Sequence, residues 1–405
     1  MSLQTFTYQN DASAEGTRPT VLCFSHLRWK FVYQRPQHLL TRAGRHANVF
    51  VLEEPIGADV PKPELRSEQQ DSDVVVLTPL LPHGMSGTES IDAQRALLDQ
   101  WIESRDISQL IAWYYTPMAL AFSSHLQPDV TIYDCMDELS AFQGAPPEML
   151  EQEQKLFARA DAVFAGGRSL FEAKSRQHSN VHLFPSSIDR KHFSGERAGH
   201  PLEDPVDQRR IAHPRIGFFG VLDERLDREL LREVAACEPS WQLVLIGPVV
   251  KIREDELPRA ANLHYLGQKP YAELPAYLAH WDVAMLPFAQ NASTKFISPT
   301  KTPEYLAAGK PVVSTPIRDV VEPYGRLGLA RIAENAKSFC DAIAASLQAP
   351  APGWRESVDK FLKQTSWDRT FDAMWAEVLR CAGKDAATAT SSTSSNATTE
   401  ETANV

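Results

Sequence analysis

Phe296-Ile297-Ser298-Pro299-Thr300-Lys301-Thr302-Pro303-Glu304-Tyr305-Leu306-Ala307-Ala308-Gly309-Lys310-Pro311-Val312-Val313-Ser314-Thr315-Pro316 reads as a loop, a short helix and a buried strand. Ser298 suits an N-cap, Pro299 or Pro303 a first helical turn, and Gly309 the position just past the helix end. The helix is therefore expected over Thr302–Ala308 and the strand over Pro311–Ser314. Lys301 meets free amides and the positive end of the helix dipole, which is the combination a diphosphate requires. Glu304 lies in the first turns, where a carboxylate is stabilised and can accept two hydroxyl hydrogens from a ribose or hexose. The plain alternative is a capped structural helix whose Lys and Glu pair in solvent. The preceding apolar run, Val283–Leu286, favours a site, because it sets the helix start at the carboxyl edge of a sheet, where such folds bind ligands.

Working outward, short apolar runs alternate with amphipathic stretches along the whole chain. Strands are expected at Thr20–Phe24, Val49–Leu52, Val74–Leu77, Leu110–Tyr114, Val130–Tyr133, Ala162–Ala165 and Val181–Phe184. A second series follows at Arg215–Phe219, Gln242–Ile246, Leu263–Leu266, Val283–Leu286 and Pro311–Ser314. Runs this rich in Val, Ile, Leu and Phe suit strands covered on both faces, and helical stretches such as Ala93–Arg105, Pro146–Arg159 and Asp227–Cys237 intervene. The fold class is α/β: two doubly wound Rossmann-like domains facing across a cleft. The boundaries expected are a flexible N-terminus over 1–19, a first domain over 20–200, a linker over 201–214, a second domain over 215–355, terminal helices over 356–383 and a tail over 384–405. Trp367, Phe371 and Trp375 recur at helical spacing and read as packing. The Ala/Thr/Ser-rich tail lacks large apolar residues and is expected to stay unstructured.

A chain of 405 residues accommodates two domains, and its formal net charge of -11 argues against nucleic acid as a partner. The polar N-terminus has no apolar core of a signal peptide, and no run reaches membrane-helix length. The 5 cysteines, Cys23, Cys135, Cys237, Cys340 and Cys381, are scattered and suit a reducing cytosol. Docking at the inner face of a membrane stays compatible with this.

Further candidates sit at other strand ends. Gly220, Gly247 and Gly267 close turns where backbone can approach a ligand. Arg225 either adds a guanidinium to the diphosphate or pairs with Asp223 or Asp227. In the first half, Ser25 to Leu40 follows the first strand, and its Arg28, Trp29 and Arg35 mix charge and aromatic surface suited to an anionic or lipid-linked acceptor. The plain alternative for these is a packed loop. His26 and Asp137 are the candidates for catalysis, with Asp134 bracing the loop. No metal-binding pattern is found, since Asp71-Ser72-Asp73 falls in a polar loop before a strand.

The segment from Glu304 to Val312 resembles the E-x-x-A-x-G-x-P-V donor signature of retaining, group 1 GT-B glycosyltransferases, with Glu304, Ala307, Gly309, Pro311 and Val312 in place. That family pairs this Glu with another eight residues earlier, where this chain has Phe296. The fuller pattern P-T-K-x-x-E-Y-L-A-A-G-K-P-V-V resembles a bacterial subgroup of teichuronic-acid and exopolysaccharide transferases. Trp29 to Leu39, read W-x-F-V-x-Q-R-P-Q-H-L, is similar to the same subgroup. Ala160-Asp161-Ala162-Val163 with Ser169, and Pro185 with Ile188, Asp189 and Phe193, match a pattern that closes the first domain.

The resemblance implies transfer of a sugar from a UDP- or GDP-linked donor to a saccharide or lipid-linked acceptor. No cofactor and no metal are expected, since no metal-binding pattern is found. Gly220, Arg225, Gly247, Gly267, Ser298, Thr300, Lys301 and Glu304 would lie on the donor side, and Arg28, Trp29 and Arg35 on the acceptor side. A nucleotide-sugar 2-epimerase and a non-catalytic nucleotide-sugar-binding protein are the alternative readings.

Overall fold

The structure, a computed structural model, describes residues 18–70, 72–194, 196–197, 200–348 and 350–394. The expected flexible N-terminus up to residue 17, the end of the tail from residue 395, and Asp71 lie outside the described residues.

The first half builds a sheet in the order Ile56–Ala58, Val74–Pro82, Asn48–Glu53, Thr20–Ser25, Leu110–Tyr114, Val130–Cys135, Ala162–Ala165, Val181–Leu183. These strands pair in parallel, and Glu64–Gln69 adds an antiparallel edge on Val74–Pro82. Alternate side chains point to opposite faces. Val21, Cys23, Val49, Val51 and Trp113 therefore pack with Leu39 and Leu40 on one side, while Leu22, Phe24, Leu52 and Tyr114 pack with Leu98, Trp101 and Phe157 on the other. The second half has the order Leu263–Tyr265, Gln242–Ile246, Arg215–Phe219, Val283–Leu286, Val312–Ser314, Arg331–Ile332, all parallel. Both sheets reverse direction beside their first strand, so each has its crevice at that carboxyl edge.

Two expectations about the joints change. Ile188 and Phe193 pack into the core of the second half rather than closing the first. The segment after them is fastened and not loose: Gln208 is fully buried, donates to the Tyr277 carbonyl at 3.1 Å and accepts from Trp281 Nε1 at 2.8 Å. Arg215 reaches back to Asp204 at 2.7 Å. A polar stretch read as a linker thus supplies the hydrogen bonds that a buried Trp and Arg need.

The terminal helices divide their allegiance. Trp354–Leu362 packs Val358 and Leu362 into the second core, whereas Trp367–Ser394 lays Trp367, Phe371, Met374, Trp375 and Val378 onto the first. The aromatic stripe is packing, as its spacing implied. Among the described residues no helix is long and apolar enough to cross a membrane.

Candidate active site at the interdomain crevice

The carboxyl ends of both sheets face a cavity of about 770 Å³, whose walls include Trp29, Asp137, Gly220, Arg225, Lys301 and Glu304. The helix beneath it runs Lys301–Ala307 with Thr300 as N-cap and no side-chain cap, so Ser298 is not the cap that its type suggested. Gly309 does adopt the left-handed conformation, φ 74°, that ends the helix. Tyr305 Oη accepts the backbone N–H of Phe219 at 3.0 Å, which ties this helix to the end of the neighbouring strand.

Lys301 is the centre of the arrangement. Its stem crosses Gly220 so closely that a Cβ there would stand 2.2 Å from Lys301 Cε. Gly220 in turn presses its carbonyl on Gly247, where a Cβ would lie 1.8 Å from that oxygen. Both glycines hold positive φ, 150° and 149°, which other residues rarely adopt. Among the described residues the Lys301 ammonium forms no hydrogen bond and no ion pair within salt-bridge distance; it rests 5.8 Å from the centre of the Phe218 ring. Burial pushes its pKa down, with nearby Glu304 opposing. The same burial lifts the Glu304 carboxyl to about 7 against the pull of Lys301. Across the crevice, Asp137 is raised by burial, with Arg225 pulling the other way. A desolvated cation without a bonded partner is therefore held beside acceptors for hydroxyl groups, in a space of nucleotide size.

Residues 213–349 match the family described as "Glycosyl transferases group 1". TuaH of Bacillus subtilis (strain 168), named as a teichuronic acid biosynthesis glycosyltransferase, is 29% identical over 222 residues, covering 50% of this chain and 54% of that protein. The chain thus spans about half the length of this curated relative. Among solved structures, sucrose-phosphate synthase from Thermosynechococcus elongatus superposes with TM-score 0.65 at 15% identity, over 89% of this chain and 98% of that one. Trehalose-6-phosphate from E. coli, bound with UDP-2-fluoro glucose, gives 0.64 at 12% identity, over 89% and 98%. These likenesses establish the GT-B fold. The group 1 match falls on the second domain of this fold.

Within that domain the remaining donor candidates separate. Gly267 turns at φ 69° and its carbonyl accepts from Gly247 N at 2.9 Å, with open space beside it. Arg225 pairs with Asp223 at 2.6 Å, the second of the two roles its neighbours allowed, while still lining the crevice. Ser298 lines the crevice, and its hydroxyl bonds Asp319 of the same half. Phe296, where a wider family places a second Glu, packs against the core of the first half.

On the acceptor side three expectations are corrected. Arg35 is 2% exposed and bonds Asp134, itself fully buried, at 2.9 Å; it also donates to the Phe184 carbonyl at 2.8 Å. Its guanidinium is consumed in bracing the loop, because a buried cation needs every donor answered. Arg28 is likewise spent on Glu53, at 3.2 Å, and on the carbonyls of Glu54 and Pro55. His26 does not line the crevice: its Nδ1 is enclosed without a hydrogen-bond partner, and burial with the charge of Lys251 lowers its pKa to about 4. Trp29 does line it. Glu53 went unnoticed in the sequence; it accepts from the Trp29 N–H at 2.6 Å and organises this loop. Among the described residues no group of three His, Cys, Asp or Glu is placed to hold a metal.

Two outcomes follow from these environments. Arg35→Ala leaves Asp134 buried and unpaired, so chemical denaturation should show a loss of about 3–5 kcal/mol, with no selective effect on acceptor use. Glu304 keeps its proton to about 7 in the native chain but to 4.5 when unfolded. The native state then binds more protons in that window, so its stability is complete below pH 4.5 and declines as pH rises through 7. Melting temperature across that range should fall for the wild type and stay flatter for Glu304→Gln.

Proposed function

We propose that the chain is a glycosyltransferase that moves a sugar from a UDP- or GDP-linked donor to a saccharide or lipid-linked acceptor. The observation that carries this reading is the unbonded Lys301 ammonium over Gly220, facing Asp137 across the crevice. Lys301 and the first amides of its helix receive the diphosphate, and Glu304 accepts hydroxyl hydrogens of the donor. The bond between the anomeric carbon and the phosphate oxygen breaks, and an acceptor oxygen bonds to that carbon. Its proton passes to Asp137, whose carboxyl burial has made more basic. The departing nucleoside diphosphate is stabilised by Lys301, with Arg225 nearby, in the place of a metal ion. Support for the donor class comes from the E. coli neighbour, described with UDP-2-fluoro glucose bound. The name of TuaH, as a teichuronic acid biosynthesis glycosyltransferase, supports a role in polysaccharide assembly, and we propose that the enzyme works at the cytosolic face of a membrane.

The test is a thermal-shift series with nucleoside diphosphates on the wild type and on Lys301→Ala, joined to an assay for released diphosphate. One nucleotide should stabilise the wild type and lose most of that effect in the variant, while kcat falls by about 10²–10³ and EDTA changes nothing. Equal stabilisation of both proteins would remove Lys301 from the site.

A further inference from the structure

Asp319 begins the turn that follows strand Val312–Ser314 in the second half, and its carboxylate leaves its own domain. It accepts the backbone N–H of Arg168 at 2.8 Å and the Ser169 hydroxyl at 3.4 Å, both at the start of helix Arg168–Lys174 in the first half. The Ser298 hydroxyl, in the loop leading to Lys301, bonds the same carboxylate. Asp319 is 6% exposed. Beside it Arg318 bonds Glu172 twice at 2.6 Å, and Ser186 Oγ donates to the Ser298 carbonyl at 3.1 Å.

A helix start normally takes its cap from its own chain neighbour. Here that neighbour is Gly167, which offers no side chain, and the cap arrives from the opposite domain. Gly167 has no room for one: a Cβ would stand 2.5 Å from Asp319 Oδ2 and 2.9 Å from Ser298 Cβ. Gly166 is as confined on its other side, where a Cβ would meet Met136 Cα at 2.9 Å. Asp319 and Ser298, the two glycines and Met136 thus form a stack without slack. One end of it adjoins the loop into Lys301, and the other adjoins Asp137. Neither glycine has room for a side chain in this stack.

We infer that Asp319 is a positioning residue: by capping the first domain's helix in trans, it sets the separation between the donor-holding helix and Asp137. The inference rests on the transfer reading for its effect on turnover, and on geometry alone for its effect on domain spacing.

Three variants test it, Asp319→Ala, Asp319→Asn and Gly167→Ala, with Asn keeping one acceptor oxygen. In Asp319→Ala and Gly167→Ala, UDP or GDP affinity by calorimetry should stay within about threefold of wild type while kcat falls about 30- to 100-fold at little-changed donor KM. Small-angle scattering should show a wider spread of domain separations, and Asp319→Asn should recover about tenfold in kcat. Wild-type turnover in Asp319→Ala would overturn the inference. So would nucleotide affinity and turnover falling together with Asn no better than Ala, since that describes a scaffold of the second domain. If the wild type binds neither nucleotide, the transfer reading fails by itself; identical scattering of wild type and Asp319→Ala would then still overturn the positioning role.

Discussion

The Lys301 ammonium reaches the crevice across Gly220, at an approach that leaves no space for a Cβ, and it has no bonded partner among the described residues. Desolvating a cation costs free energy that the surrounding side chains do not return in full, which is why its pKa falls and that of Glu304 rises. An incoming diphosphate offsets that cost. The glycines at 220 and 247, the Tyr305 bond to the adjoining strand and the short helix all serve to hold this one charge where it is. The rest of the second half is a scaffold that places a strand end under it.

The first half contributes the opposing wall, and its charges are handled in the opposite way. Arg35 and Arg28 are saturated by Asp134, Glu53 and carbonyl groups, so they shape the loop that carries Trp29 and do not wait for a ligand. The contrast is between a cation left unanswered and cations fully answered. Only the first kind has electrostatic energy to give to a substrate.

Much of this was legible in the residues, for identifiable reasons. Strands Leu110–Tyr114, Ala162–Ala165, Arg215–Phe219, Gln242–Ile246 and Val283–Leu286 fall where expected, since strands buried on both faces write themselves as unbroken apolar runs. Glu64–Gln69 escaped notice because its composition is polar, as an exposed edge strand allows. Lys301 and Glu304 were readable from local pattern alone. The partners of Arg35 and Arg28 were not, because each lies distant in sequence and a bond across that distance leaves no local trace. The same holds for Asp319, whose hydroxyl partner Ser169 stands 150 residues earlier in the chain. Ser298 has the type of a cap and the position of a cap, yet its hydroxyl is turned to Asp319 of the same half.

The central claim concerns where one charge meets another, and a crystal structure of the chain with a nucleoside diphosphate bound tests it directly. The account predicts the diphosphate between Lys301 Nζ and the Gly220 turn, with a sugar or ribose hydroxyl on Glu304. A diphosphate bound elsewhere, with Lys301 making no contact to it, would contradict it.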